Sequence, residues 1–108
     1  MDAPEYCGDV YRSLSLYPAS ADPGQVAEIV ERTAAGFKQS PGFRSFTTSV
    51  NALMGPGARE GHVARVVVVD FDTLDDALSA LKADSFQETR TASEAIGATH
   101  FLFECCEV

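Results

Sequence analysis

Between positions 63 and 71 the chain reads Val63-Ala-Arg-Val-Val-Val-Val-Asp-Phe71, and from Val66 to Val69 apolar residues do not alternate with polar ones. Successive side chains of a strand point to opposite faces, so an unbroken apolar run demands cover on both sides. A chain this short supplies helices for one side, and a second copy of itself is expected on the other. The remaining segments organise around this strand. Val10, Arg12, Leu14 and Leu16 alternate with Tyr11, Ser13, Ser15 and Tyr17, which predicts a first strand over 10–17. Asp22-Pro23-Gly24-Gln25 is a helix start, with an N-cap acid, proline at the first helical position and Gln25 placed for a capping box. Val26, Ile29, Val30, Thr33 and Phe37 follow at helical spacing, and Ser40-Pro41-Gly42 stops the helix. A weaker, Ser/Thr-rich strand spans 43–50, and the turn-rich 54–61 leads into the valine strand. Thr73 caps a second helix with Leu74, Ala77, Leu78 and Leu81 facing inward. A break near Asp84 follows, with Ser85-Phe86-Gln87-Glu88 as a second capping box, then helix to Ile96 and a stop at Gly97. Phe101-Leu-Phe-Glu-Cys-Cys106 is the last strand.

The order β-α-β-β-α-β predicts an α+β, ferredoxin-like antiparallel sheet with the helices on one face and the first and third strands central. It forms one domain over 10–108, after an N-terminal arm over 1–9. If the greasier row of each strand faces the helices, that side takes Leu14, Leu16, Phe46, Val67, Val69, Phe71, Phe101 and Phe103. The other side takes Tyr11, Ser13, Ser15, Tyr17, Thr47, His62, Ala64, Val66, Val68, Asp70, His100, Leu102 and Glu104. This second face is too apolar at its centre to sit bare in water. A homodimer through that sheet face satisfies both constraints.

Composition narrows the partners. Eight basic against sixteen acidic residues leave a net charge of −8, which argues against nucleic acid or an anionic membrane surface. No apolar run is long enough to span a bilayer, and the N-terminus lacks the basic and apolar regions of a secretion signal. A soluble cytoplasmic protein is expected. The three cysteines, Cys7, Cys105 and Cys106, form no CxxC motif and no Cys/His zinc pattern. The adjacent pair would alternate faces on a strand, and reduced thiols are the simplest reading. The glycines at 55, 57 and 61 make neither a dinucleotide fingerprint nor a P-loop, and there is no GxSxG and no evident Ser/His/Asp set. Asp70, Asp72, Asp75 and Asp76 lack the spacing of a calcium loop, and acids are favoured at a helix N-terminus in any case. No metal and no bound cofactor are expected.

Ser40-Pro-Gly-Phe-Arg-Ser-Phe46 after the first helix, Val69-Asp-Phe-Asp-Thr-Leu-Asp-Asp-Ala-Leu78 entering the second, and the break at Ala83-Asp-Ser-Phe86 are the most distinctive motifs. Through them, and over roughly 10–106, the chain resembles the dimeric α/β-barrel superfamily of antibiotic-biosynthesis monooxygenase-like and EthD-like (ethyl tert-butyl ether degradation) proteins. The resemblance implies a sheet that dimerises into an α/β barrel, ligands held between sheet and helices, and metal- and flavin-free chemistry on aromatic substrates. The departures matter too. Residues 33–39 lack the histidine that EthD-like proteins tend to carry late in the first helix. Without tryptophan or a helix histidine, the chain also departs from the haem-degrading branch. No catalytic residue transfers by motif.

Candidate chemistry therefore rests on individual residues. His62, at the mouth of the valine strand, and Tyr17 are the candidate catalytic groups, an imidazole having a suitable ordinary pKa for acid–base work. Tyr11, Arg12, Arg65 and His100 are candidate ligand-binding residues, the arginines for an acidic or enolate oxygen. Against these stand plainer roles: solvated strand-end histidines, tyrosines bonded across an interface, arginines with buried stems and wet heads. The function expected is cofactor-independent oxidation or isomerisation of a hydrophobic small molecule. The alternative is a non-catalytic ligand-binding or structural dimeric barrel.

Overall fold

The computed structural model describes residues 8–50, 54–55, 63 and 65–108. Four antiparallel strands, β1 (Val10–Tyr17), β2 (Phe43–Thr48), β3 (Arg65–Phe71) and β4 (Thr99–Cys105), form one sheet in the order β2-β3-β1-β4. Three helices, α1 (Pro23–Phe37), α2 (Leu74–Lys82) and α3 (Asp84–Ala95), complete the expected element order. As expected, the first and third strands are central.

Local signals place most helix ends. The Asp22 carboxylate accepts the Gln25 amide at 3.0 Å, and the Thr73 hydroxyl accepts the Asp76 amide at 3.1 Å. Gly42 and Gly97 take φ of 75° and 94°, a backbone region that L side chains disfavour. The start of α3 differs from expectation. It begins at Asp84 behind Ala83, with no side-chain cap, so Ser85 lies inside the helix and not at its cap. Gln87 instead reaches back to the Leu81 carbonyl at 2.6 Å and ties α3 to α2.

Between sheet and helices lies the core. Val26, Ile29, Val30 and Phe37 of α1 and Ala77 and Ala80 of α2 pack against Val67, Val69 and Phe71 of β3. Phe37 meets the Phe71 ring edge-on at 5.7 Å and lies against Phe86 of α3 at 5.0 Å. Leu74, expected inward, is exposed in the first turn of α2, and alanines take the buried positions there.

The facing of β1 and β4 is the main correction. Tyr11, Ser13, Ser15 and Tyr17 are the buried row of β1 and face the helices, as do His100 and Leu102 of β4. Leu14, Leu16, Phe101 and Phe103 lie on the outer face. Register is the reason. Tyr11 pairs with Phe71, Ser13 with Val69, Ser15 with Val67 and Tyr17 with Arg65. Cross-strand partners share a face, so fixing the β3 valines inward fixes the hydroxyl row of β1 inward too. Sorting each strand by its own greasiness ignores this coupling. Across the outer face, one rung reads Ser45, Asp70, Arg12, Phe103 and the next Thr47, Val68, Leu14, Phe101. Val66, Leu16 and Thr99 make a third. The cover that Val66 and Val68 demand is thus needed over a wider apolar area than the sequence suggested.

Cys105 is free and half-buried, whereas Cys106 is disulfide-bonded. The two adjacent cysteines do not bridge each other, as expected, but the reduced-thiol reading fails at Cys106. No helix among the described residues is long and apolar enough to cross a membrane.

Candidate functional site

Where α3 crosses β1 and β4, the layer between helix and sheet is polar. The buried residues of α3 are not aliphatic but Thr89 and Ser93, one helical turn apart, and they face Ser13 and Ser15 of β1. Thr89 satisfies its hydroxyl on the Phe86 carbonyl at 2.9 Å. Gly97 then turns the chain into β4, which brings His100 back beneath the helix that precedes it.

His100 is held at both ring nitrogens: Nδ1 is 2.7 Å from Ser15 Oγ and Nε2 is 2.8 Å from Ser93 Oγ. Ser93 donates its only proton to the Arg90 carbonyl at 2.7 Å. Toward His100 it can therefore only accept, which places the imidazole proton on Nε2. Nδ1 of the neutral ring then accepts from the Ser15 hydroxyl. Burial pushes the His100 pKa below its ordinary value; nearby Glu94 opposes that shift and Arg90 adds to it. The chain Ser15–His100–Ser93 thus presents a neutral base whose tautomer is set by its neighbours. Tyr17, two residues along the same face of β1, lines the same space. Burial raises its phenol pKa, offset in part by Arg65, so the phenol stays a proton donor at neutral pH.

Two adjoining spaces border this group. The inner one, bounded by Ser13, Ser15, Tyr17, Thr89, Ser93 and His100, encloses about 10 Å³, room for a single water. The outer one is an open crevice of about 260 Å³ between α3 and β4, walled by Phe86, Leu81, Phe101 and Leu102. Ser13, Phe86, Arg90 and His100 line both. Phe86 presents its ring edge-on to the imidazole at 6.4 Å. At the mouth, Arg90 Nε pairs with Glu94 Oε1 at 2.9 Å, an exposed ion pair whose guanidinium has further N–H groups to offer.

Of the candidates read from sequence, the structure brings Tyr17 and His100 together, with Arg65 beside Tyr17 on the neighbouring strand. Arg12 is not among them. It lies on the outer face, where Asp70 holds it through two hydrogen bonds of 2.8 and 3.0 Å. Tyr11 is buried at the opposite end of β1, by the N-terminus of α2. His62 falls outside the described residues. Sequence reasoning missed Ser13, Ser15, Arg90 and Ser93. The serines were visible as the small polar row of β1, and Ser93 as a polar residue on the helical stripe of Phe86 and Thr89. Among the described residues no cluster of His, Cys, Asp and Glu could hold a metal ion.

No protein-family model and no curated protein matches the chain. Solved structures do. SnoaB, a cofactor-independent oxygenase from Streptomyces nogalater, is similar at a TM-score of 0.70 and 24% identity, over 93% of this chain and 96% of that one. A dimeric ferredoxin-like protein of unknown function from Thermobifida fusca gives a TM-score of 0.67 at 13% identity, over 97% and 99%. An EthD family protein from Bacillus halodurans gives 0.66 at 16% identity, over 89% and 98%. At these identities the likeness is one of fold, and the fold is the ferredoxin-like one that the resemblance implied.

Proposed function

We propose that the chain self-associates through the outer face of its sheet and acts on a hydrophobic, oxygenated small molecule in the crevice between α3 and β4. The chemistry proposed is oxidation by dioxygen, of the kind named for SnoaB, or isomerisation, without a bound cofactor. The observation that carries this reading is His100, hydrogen-bonded at both nitrogens at the foot of an aromatic-walled crevice. A proton leaving an activated carbon or a phenol in the crevice passes through the one water that the inner space has room for and the Ser15 hydroxyl to Nδ1, and both serines can accept from the resulting imidazolium. The substrate anion is an enolate or a phenolate, and Arg90 at the mouth meets its oxygen. In isomerisation, the anion takes the proton back at a different atom. In oxidation, its electrons reduce dioxygen to a carbon-bound peroxide, which takes the proton from His100. Loss of water across the O–O bond then leaves a carbonyl.

Self-association is supported by the bare apolar rungs of the outer face and by the dimeric description of the Thermobifida fusca protein. The test uses hydroxylated polycyclic aromatics, with oxygen uptake and product mass as readouts. His100→Gln should lower turnover by about a hundredfold or more while substrate binding changes little. An unchanged rate would leave the ligand-binding alternative and remove His100 from the chemistry.

A further inference from the structure

Among the described residues of its three central rungs, the outer face carries charge on one, and there the charges neutralise each other. Arg12 and Asp70 sit on the two central strands, on the midline of the sheet, with Ser45 and Phe103 at their flanks. The pair is bidentate, with Nε to Oδ1 at 2.8 Å and Nη2 to Oδ2 at 3.0 Å, and Ser45 Oγ lies 3.5 Å from Oδ2. Asp70 is already largely shielded, at 14% side-chain exposure, while Arg12 keeps 42%. One carboxylate cannot accept all the N–H groups of a guanidinium. If the adjoining Leu14, Val68 and Phe101 are covered, Arg12 must find further acceptors across the contact or lose hydration without replacement.

We propose that the Arg12–Asp70 pair is the polar key that fixes how two copies of this chain seat on one another, the second copy supplying the acceptors that complete Arg12. This rests on the self-association reading above and adds what determines its register. The choice of a second copy follows from charge. Each chain carries −8, and a face whose central charges among the described residues cancel is the one on which two such chains can meet with least repulsion. A basic partner would seek the acidic surfaces instead. A polar pair inside an apolar contact also disfavours shifted seatings, because any slip leaves a charge facing Leu or Val.

Sedimentation equilibrium on a dilution series tests this with Asp70→Asn, Arg12→Met and the double variant Arg12→Met/Asp70→Leu, each checked for native circular dichroism. Either single change strands one charge in the contact and should weaken self-association about tenfold or more. The double change strands none and should bind at least about tenfold tighter than either single variant. Single variants that associate as the wild type does, or a double variant no tighter than the weaker single one, would overturn the proposal. In those cases the wild-type dimer itself still stands. A wild-type chain that stays monomeric at every concentration would overturn the self-association reading as well.

Discussion

With desolvation holding the His100 imidazole below its ordinary pKa, the unfolded chain takes up a proton at a pH where the folded one does not. Unfolding then binds protons, so stability falls as pH drops below the ordinary value of 6.5 and stops falling once the folded ring also titrates. The groups facing the ring are Glu94 and Arg90 from α3 and Tyr17 from β1, and Glu94 limits the size of the effect. Urea unfolding at several pH values between about 5 and 7.5 should show a steeper acid loss in the wild type than in His100→Gln. Parallel curves would mean that the ring protonates freely in the folded state. Ser93→Ala removes the acceptor that fixes the proton on Nε2, so nitrogen NMR of His100 should change from one dominant tautomer to a mixture. An unchanged spectrum would show that Ser15 alone sets the ring.

Single elements carry their own tests, and they separate what was legible in the sequence from what was not. Thr73 donates no packing to the core, yet its hydroxyl closes the first turn of α2, so Thr73→Ala should lower stability by about 1 kcal/mol in chemical denaturation. Gly42 combines a φ of 75° with a position where any Cβ would collide with the Asp76 side chain. Gly42→Ala should therefore destabilise by more than the cap does, about 2 kcal/mol or above. Both residues were readable in advance because caps and turns are encoded within a few neighbouring positions. The facing of β1 was not readable in the same way. Alternation divides its residues into two rows, but the pairing of Ser13 with Val69 and Ser15 with Val67 decides which row is inside, and those contacts are long-range. The site shares this property. Ser15 and His100 meet across 85 positions, and Ser93 reaches His100 only because Gly97 reverses the chain between them. His100 and Tyr17 could be nominated by type; their two serine partners needed the register.

For the whole molecule, the apolar outer face and the large negative charge pull against each other. The greasier rows of β1 and β4 lie outside, so the stretch of Leu14, Leu16, Val66, Val68, Phe101 and Phe103 favours association through loss of wetted apolar surface. Two chains of −8 repel each other as they approach, and that repulsion is screened over about 10 Å at 0.1 M salt. Raising ionic strength from about 0.02 to about 0.2 M should therefore tighten self-association, because it removes long-range repulsion while an enclosed Arg12–Asp70 pair is screened little. The opposite trend would mean that attraction between exposed charges holds the copies together, with the apolar rungs uncovered. Leu14→Asp decides between these directly. A carboxylate placed beside Val68 and Phe101 should abolish association if that rung is the contact, and change it little if the charged rim is. Light scattering on the variant at both salt concentrations reads the two effects in one experiment.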